Sequence, residues 1–285
     1  MELQPCPDAV SQSLEHEREH GKKPKLEKCN NTSSITNIGK LRQMKTRRGY
    51  GRKNKTKQNK ILRNIKFSLL GTNPNSISNK VESLQQTVAF FQPSIVTLQE
   101  TKARKLGSIH LEGYQIFENI RGGGNGGGLL TAVDQNLNPV LISTGRDEDT
   151  EILTVQAKVG TNDIRIINGY GPQVDDGKQE VYNFWHKVEQ EVIAAKEENC
   201  FVVIQMDANA KIGIKDDPNN VTANGKLLLD VVERQNLTLV NKLDLCKGII
   251  TRERITPLKI EKSVNKYVIV CEGMKKYLEE MLIDK

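Results

Sequence analysis

The stretch FVVIQMDANA, residues 201–210, decides the fold. Residues 201–206 form a short apolar run with the length and composition of a buried strand. The run ends in Asp207 and, two residues on, Asn209. A buried strand that ends this way carries a carboxylate and a carboxamide to the rim of a sheet. Three more apolar runs end alike: residues 65–70 lead to Asn73 and Asn75, 95–98 to Gln99 and Glu100, and 164–169 to Tyr170-Gly171-Pro172. One such signature is weak, but four in fixed order predict several rims converging on one pocket. They point to metal-assisted chemistry on a phosphate ester.

Outward from these runs, strands alternate with helices. The spacing predicts a helix over residues 79–91, with Val81, Leu84, Val88 and Phe91 on one face and Pro93 stopping it. It predicts another over 179–196, carrying Val181, Phe184, Trp185, Val188 and Val192. Short β-rich pieces at 114–117, 128–133, 140–143 and 152–159 suggest antiparallel pairing. A helix at 225–234, strands at 237–240 and 267–270, and a helix from 274 to 282 complete the reading. Helices interrupting two groups of mixed strands fit an α/β domain with helices covering face-to-face sheets. Periodicity alone does not count the sheets.

The 285 residues carry a net charge of +7, unevenly spread. Residues 1–60 hold 15 Lys/Arg against 6 Asp/Glu, while residues 61–285 hold 27 against 29. Between positions 40 and 60 there are ten basic residues and no acidic one. We read residues 1–60 as a disordered basic tail and residues 61–285 as the folded domain. Lys45, Arg47, Arg48, Arg52 and Lys53 are the candidate nucleic-acid contacts, because such a run neutralises phosphates by counterion release. A plain solubilising tail and a nuclear-import signal remain open alternatives. Five scattered cysteines with no Cys-x-x-Cys pair argue against a disulfide framework and a structural zinc site. Residues 1–20 lack the apolar core of a signal peptide, and no run reaches membrane-spanning length. The expectation is an intracellular protein without a membrane partner.

Glu100 and Asp207 are the candidate hard-oxygen ligands or acid/base groups. No His or Cys lies near either motif, which suits Mg²⁺, and by the same donors Mn²⁺, better than a softer metal. Asn73, Asn75 and Asn209 offer neutral amides that can orient a carboxylate or stabilise a phosphoryl oxygen; Asn75 reads better as an ordinary turn residue, which leaves Asn73 and Asn209 as the stronger candidates. Tyr170 sits on a rigid turn, as a phosphate contact or as a partly buried turn tyrosine. RGGGNGGG at 121–128 contains Gly-x-Gly-x-x-Gly, but a strand pattern follows instead of a helix, so we reject a dinucleotide site and expect a flexible connection near the pocket.

With these residues in view, the chain from about residue 65 onward resembles the endonuclease/exonuclease/phosphatase superfamily. It looks most like the apurinic-type endonuclease domain that precedes reverse transcriptase in non-LTR retrotransposons. The matching text is NPNSISNK (73–80), TLQETK (97–102), GYGPQ (169–173), MDANAKIG (206–213), NGKLLLDVVERQNLTLVN (224–241), GIITRER (248–254) and EKSVNKYVIVCE (261–272). The resemblance implies a four-layer α/β sandwich, two mixed sheets with helices outside. It implies Mg²⁺-dependent hydrolysis of a DNA phosphodiester, leaving a 3′-hydroxyl that primes reverse transcription, in the nucleus and beside a downstream reverse transcriptase. By position, Glu100 would ligate the metal with support from Asn73. Tyr170 would contact the scissile phosphate, Asp207 would position or deprotonate water or assist the leaving group, and Asn209 would stabilise the transition state.

Two departures stand out. The family's Ser-x-Ile-Asp-Tyr appears here as Ser263-Val264-Asn265-Lys266-Tyr267, so the aspartate that should orient a catalytic histidine is Lys266. No histidine follows His186, and the family's closing Ser-Asp-His strand is expected beyond Lys285. The expected function is therefore a retroelement-derived nuclease domain with impaired activity. The rivals are a non-catalytic nucleic-acid binder and a phosphatase of the same superfamily.

Overall fold

A computed structural model describes residues 36–41, 67–121, 127–145, 150–173, 176–214, 217–248, 251–255 and 260–283. The unit spanning Ser33–Lys285 opens with strands β1 (Thr36–Leu41) and β2 (Phe67–Thr72), helix α1 (Val81–Phe91) and strand β3 (Ile95–Gln99). Strands β4 (Tyr114–Asn119), β5 (Leu129–Asp134), β6 (Val140–Thr144), β7 (Glu151–Val159) and β8 (Asn162–Tyr170) follow. Then come α2 (Lys178–Glu197), β9 (Phe201–Asp207), a ribbon of β10 (Ile212–Ile214) with β11 (Asp217–Val221), and α3 (Ala223–Arg234). Strands β12 (Leu237–Leu239) and β13 (Cys246–Lys247) precede a second ribbon, β14 (Arg252–Ile255) with β15 (Ile260–Ser263). The described chain closes with β16 (Lys266–Cys271), the single turn α4 (Glu272–Lys275) and β17 (Leu278–Ile283).

Two mixed sheets form. One has seven strands in the order β13-β17-β1-β2-β3-β5-β4, the other six in the order β12-β16-β9-β8-β7-β6. Each holds one central parallel pair joined by a crossover helix: β2 and β3 through α1, β8 and β9 through α2. Antiparallel strands flank both pairs. A parallel pair needs such a crossover and buries both of its faces, which is why these runs read as nearly continuous apolar text.

Three apolar clusters separate the layers. Leu84 and Val88 of α1 pack on Leu70, Val96, Leu98 and Leu130, the outer face of the first sheet. Phe184, Trp185, Val188 and Val192 of α2, with Leu228 and Val231 of α3, cover Val202, Ile204, Tyr267 and Ile269 on the outer face of the second. Between the sheets lie Phe67, Leu69, Ile95, Leu153, Val155, Ile164, Ile166, Val203 and Val268. Alternate residues of one strand therefore serve two different cores, as the period of two requires. This is the four-layer α/β sandwich that the resemblance implied. Among the described residues no helix is long and apolar enough to cross a membrane.

Two elements depart from the sequence reading. Inside the segment read as a disordered tail, Thr36–Leu41 forms β1, hydrogen-bonded between β2 and β17. The rest of residues 1–60, including all five candidate phosphate-binding cations, lies outside the described residues. Residues 274–282 were expected to be helical; α4 stops at Lys275 and β17 takes over, with Met281 fully buried. Met274, Leu278 and Met281 sit at helical spacing, but the open backbone of β1 on one side and β13 on the other offers a ladder that no local pattern encodes.

Candidate active site

The C-terminal ends of the two parallel pairs meet at one rim of the sandwich. Asn73 follows β2, Glu100 follows β3, Tyr170 ends β8, and Asp207 ends β9 with Asn209 two residues on. Register aligns the second sheet's contribution. Glu151 lies opposite Tyr170, Tyr170 opposite Asp207, and Asp207 opposite Lys266. Directly opposed residues project from the same face, so these four side chains form a row across β7, β8, β9 and β16. Asp207 reaches the first sheet's loop, where Asn73 Nδ2 donates to its Oδ2 at 2.9 Å. The row therefore faces the space between the sheets.

The backbone around the site is bent to fit. Glu100 and Asn209 adopt left-handed φ values of 51° and 46°, a conformation that costs L residues roughly 1–2 kcal/mol. Ladder-like bonds hold Glu100 in place: Ser76 N–H donates to its carbonyl at 2.9 Å, and the next residue, Thr101, donates to Gly128 O at 3.0 Å. On the second sheet, Gly171 N–H donates to Asp207 O at 2.7 Å. That approach is so close that a Cβ on Gly171 would stand 2.4 Å from Ala208 O. Asn209 Nδ2 closes the same corner by donating to Gly171 O at 2.8 Å.

The charges interlock. The Tyr170 hydroxyl donates to Glu100 Oε1, and Gln173 Nε2 donates to the same phenol oxygen at 3.3 Å. Burial, then the Glu100 hydrogen bond and charge, push the Tyr170 phenol above its usual range and keep it protonated. Burial also pushes the Asp207 carboxyl up, opposed first by the Lys266 charge and then by the Asn73 and Asn209 hydrogen bonds. Lys102 Nζ stands 3.8 Å from Glu100 Oε2. At the end of the row, Glu151 accepts from Gly128 N–H at 2.7 Å and from Arg121 at 3.2 Å, while burial raises its carboxyl.

Glu100, Asp207, Asn73, Asn209 and Tyr170 thus come together, and Asn75 stands at the margin, its Oδ1 accepting from Lys102 Nζ at 2.5 Å. One is redirected: Asn73, expected to support Glu100, donates to Asp207. Two neighbours escaped sequence reasoning. Glu151 begins β7 rather than ending a strand, so it lacks the strand-end signature. Lys102 lies within the quoted TLQETK text but carried no assigned role. Residues 122–126 of the glycine-rich stretch lie outside the described residues; its flanks, Arg121 and Gly128, meet Glu151.

The donor set suits a hard divalent cation. Among the described residues the Glu100 Oε2 oxygen faces the Lys102 ammonium at 3.8 Å, Asp207 and Asn73 add oxygens, and neither sulfur nor imidazole joins the row. Among the described residues no cluster of three or more acidic, His or Cys side chains forms a metal cage. Mg²⁺ is commonly held by one or two carboxylates with water and phosphate completing the octahedron, so a ligand-poor site is what it needs.

No family model and no curated protein matches the chain. Solved structures do. The endonuclease domain of TRAS1, a telomere-specific non-LTR retrotransposon, is 19% identical over 74% of this chain and 87% of its own, with a TM-score of 0.53. A 3′-5′ exonuclease from Neisseria meningitidis is 18% identical over 74% and 90%, with a TM-score of 0.58. A mannosyl-6-phosphatase from Bacteroides thetaiotaomicron is 12% identical over 70% and 79%, with a TM-score of 0.51. The fold is that of the endonuclease/exonuclease/phosphatase proteins, whose members here include nucleases and a sugar phosphatase; likeness at this level establishes the fold alone.

Proposed function

We propose that this chain is a retroelement-derived, Mg²⁺-assisted hydrolase of DNA phosphodiesters whose turnover is impaired. The observation that carries the reading is the opposed pair Tyr170 and Asp207 on one sheet meeting Glu100 and Asn73 from the other. Asp207, oriented by Asn73 and the Asn209 amide, handles the proton of the attacking water or the leaving group. Tyr170, held protonated, presents its phenol to a phosphoryl oxygen, and the Asn209 carboxamide stabilises charge there. Mg²⁺, or Mn²⁺ on the same oxygens, would be held by Glu100 and would supply Lewis-acid charge stabilisation. Lys45, Arg47, Arg48, Arg52 and Lys53 would hold DNA non-specifically. An intact element would carry a reverse transcriptase downstream and work in the nucleus.

The impairment follows from Lys266. A cation beside Asp207 offsets the negative charge that a metal and a general base both need, and it disfavours any neighbouring imidazolium. The test is nicking of supercoiled plasmid with Mg²⁺. Slow nicking that Glu100→Ala abolishes and Lys266→Asp raises at least ~10-fold, about 1.4 kcal/mol of barrier, supports the reading. Rapid nicking by the unaltered protein refutes the impairment, and nicking indifferent to Glu100→Ala refutes the site. The same Asp207–Lys266 pair favours one alternative, a domain that binds nucleic acid without cutting it.

A further inference from the structure

We propose that the cleft binds a phosphate group without a divalent metal, with Lys266 as the built-in cation. This rests on the cleft being the phosphate site, as proposed above, and adds which group supplies the positive charge.

Three carboxylates line the rim, and each faces a cation of this chain. Glu100 has Lys102 at 3.8 Å, Glu151 has Arg121 at 3.2 Å, and Asp207 has Lys266 directly across the ladder. Carboxylates alone would repel a phosphate dianion until a metal entered. Here the charges already balance. The three cations are not equal, however. The Lys102 and Arg121 side chains are 37% and 47% exposed, so water screens them. Lys266 is 9% exposed and Asp207 6%. In that drier setting an ammonium acts more strongly on an anion placed beside it.

The Lys266 backbone is anchored at two points. Its N–H donates to Thr251 Oγ1 at 3.2 Å, and its carbonyl accepts from Asn241 Nδ2 at 3.1 Å. Along β16 it shares a face with Val268 and Val270 of the inter-sheet core, while Tyr267 points to the helix layer. The ammonium therefore belongs to the space between the sheets, on the side where Asn73 reaches Asp207. An ammonium has three donors, so it can turn one to a phosphoryl oxygen without giving up its other partners. The like charge of Lys266 opposes a metal's approach to Asp207, which leaves a metal to the Glu100 side of the cleft.

The experiment titrates the full-length protein with inorganic phosphate in EDTA, by calorimetry, and with Mn²⁺, by electron paramagnetic resonance. The basic N-terminal segment is common to every variant, so it cannot create a difference between them. Expected is measurable phosphate binding in EDTA, weakened ~10-fold (about 1.4 kcal/mol) by Lys266→Met and kept within ~3-fold by Lys266→Arg, with Mn²⁺ binding tightened by Lys266→Met. No phosphate binding in EDTA, or binding unchanged by Lys266→Met, overturns the inference. Should Lys266→Met unfold the protein, the double variant Lys266→Met/Asp207→Asn decides. It buries no lone charge, and its reference is Asp207→Asn alone: phosphate binding at least ~3-fold weaker in the double variant than in Asp207→Asn supports the role of Lys266, and equal binding refutes it. Asn209→Ala separates the two readings. Binding lost there but kept in Lys266→Met, or binding unaffected by either, sinks this inference alone; the proposed function falls only if nicking is indifferent to Glu100→Ala.

Discussion

Asn168 is the polar bolt between the two sheets, and replacing it with alanine should be among the costliest single changes in the chain. It is fully buried at the end of β8, two residues before Tyr170. Its Nδ2 donates to Leu130 O at 2.9 Å, with longer contacts to Leu98 O at 3.2 Å and Thr131 Oγ1 at 3.3 Å. Its Oδ1 accepts from Gln99 Nε2 at 2.8 Å, and Gln99 immediately precedes Glu100. Asn168→Ala removes two well-formed bonds at ~1 kcal/mol each and strands the buried Gln99 amide for another ~1–2, a total of about 3–4 kcal/mol. With a urea m-value of ~2.5 kcal/mol/M, the unfolding midpoint should fall by about 1.2–1.6 M. The comparison is Thr154→Val. Thr154 is equally buried, but its hydroxyl has no hydrogen-bond partner, so the isosteric change should be neutral or stabilising by up to ~1 kcal/mol. Urea unfolding followed by tryptophan fluorescence reads both. A cost below ~1 kcal/mol for Asn168→Ala, or an equal loss for Thr154→Val, would refute the claim that satisfied polar contacts, rather than mere burial, tie the sheets together.

Three further outcomes are expected. Gly171→Ala drives a Cβ to 2.4 Å from Ala208 O; the backbone must shift by about an ångström, costing ~2 kcal/mol or more, and phosphate binding should weaken with it, which thermal melts and calorimetry measure side by side. Burial and the nearby Asp134 charge raise the Tyr114 phenol from 10.0 to about 12. Because the folded state holds that proton more tightly, its stabilisation is complete below pH 10 and is lost as pH climbs through about 12; Tyr114→Phe should flatten the alkaline fall in stability, and an unchanged profile counts against it. Replacing Lys45, Arg47, Arg48, Arg52 and Lys53 with Gln should reduce the slope of log K for DNA against log salt by ~0.9 for each phosphate that is no longer neutralised. Substitution is the right perturbation, since deleting residues 1–60 would also remove β1 from its sheet.

Much of this architecture was legible in the linear text. The parallel-pair strands announce themselves because strands buried on both faces are mostly apolar, and each leads to a polar residue at the rim. Asp207, Glu100, Tyr170, Asn73 and Asn209 could be nominated on that ground alone. Strand pairing could not. β1 carries Gly39 and Lys40 in place of a clean alternation, and β17 has apolar residues at helical spacing; both become strands because each lies against a partner far away in the chain. The sequence also showed a lysine where an aspartate was expected, but not what it touches. Lys266 lies 59 positions beyond Asp207, and only the antiparallel register of β9 with β16 sets the two side by side. In the same way the β7–β8 pairing brings Glu151 to Tyr170 and completes a row no motif contains. Period and composition are local properties that a sequence states directly. Register is settled by long-range hydrogen bonds and by the shared burial of two sheets, and the chemistry of this cleft depends on it.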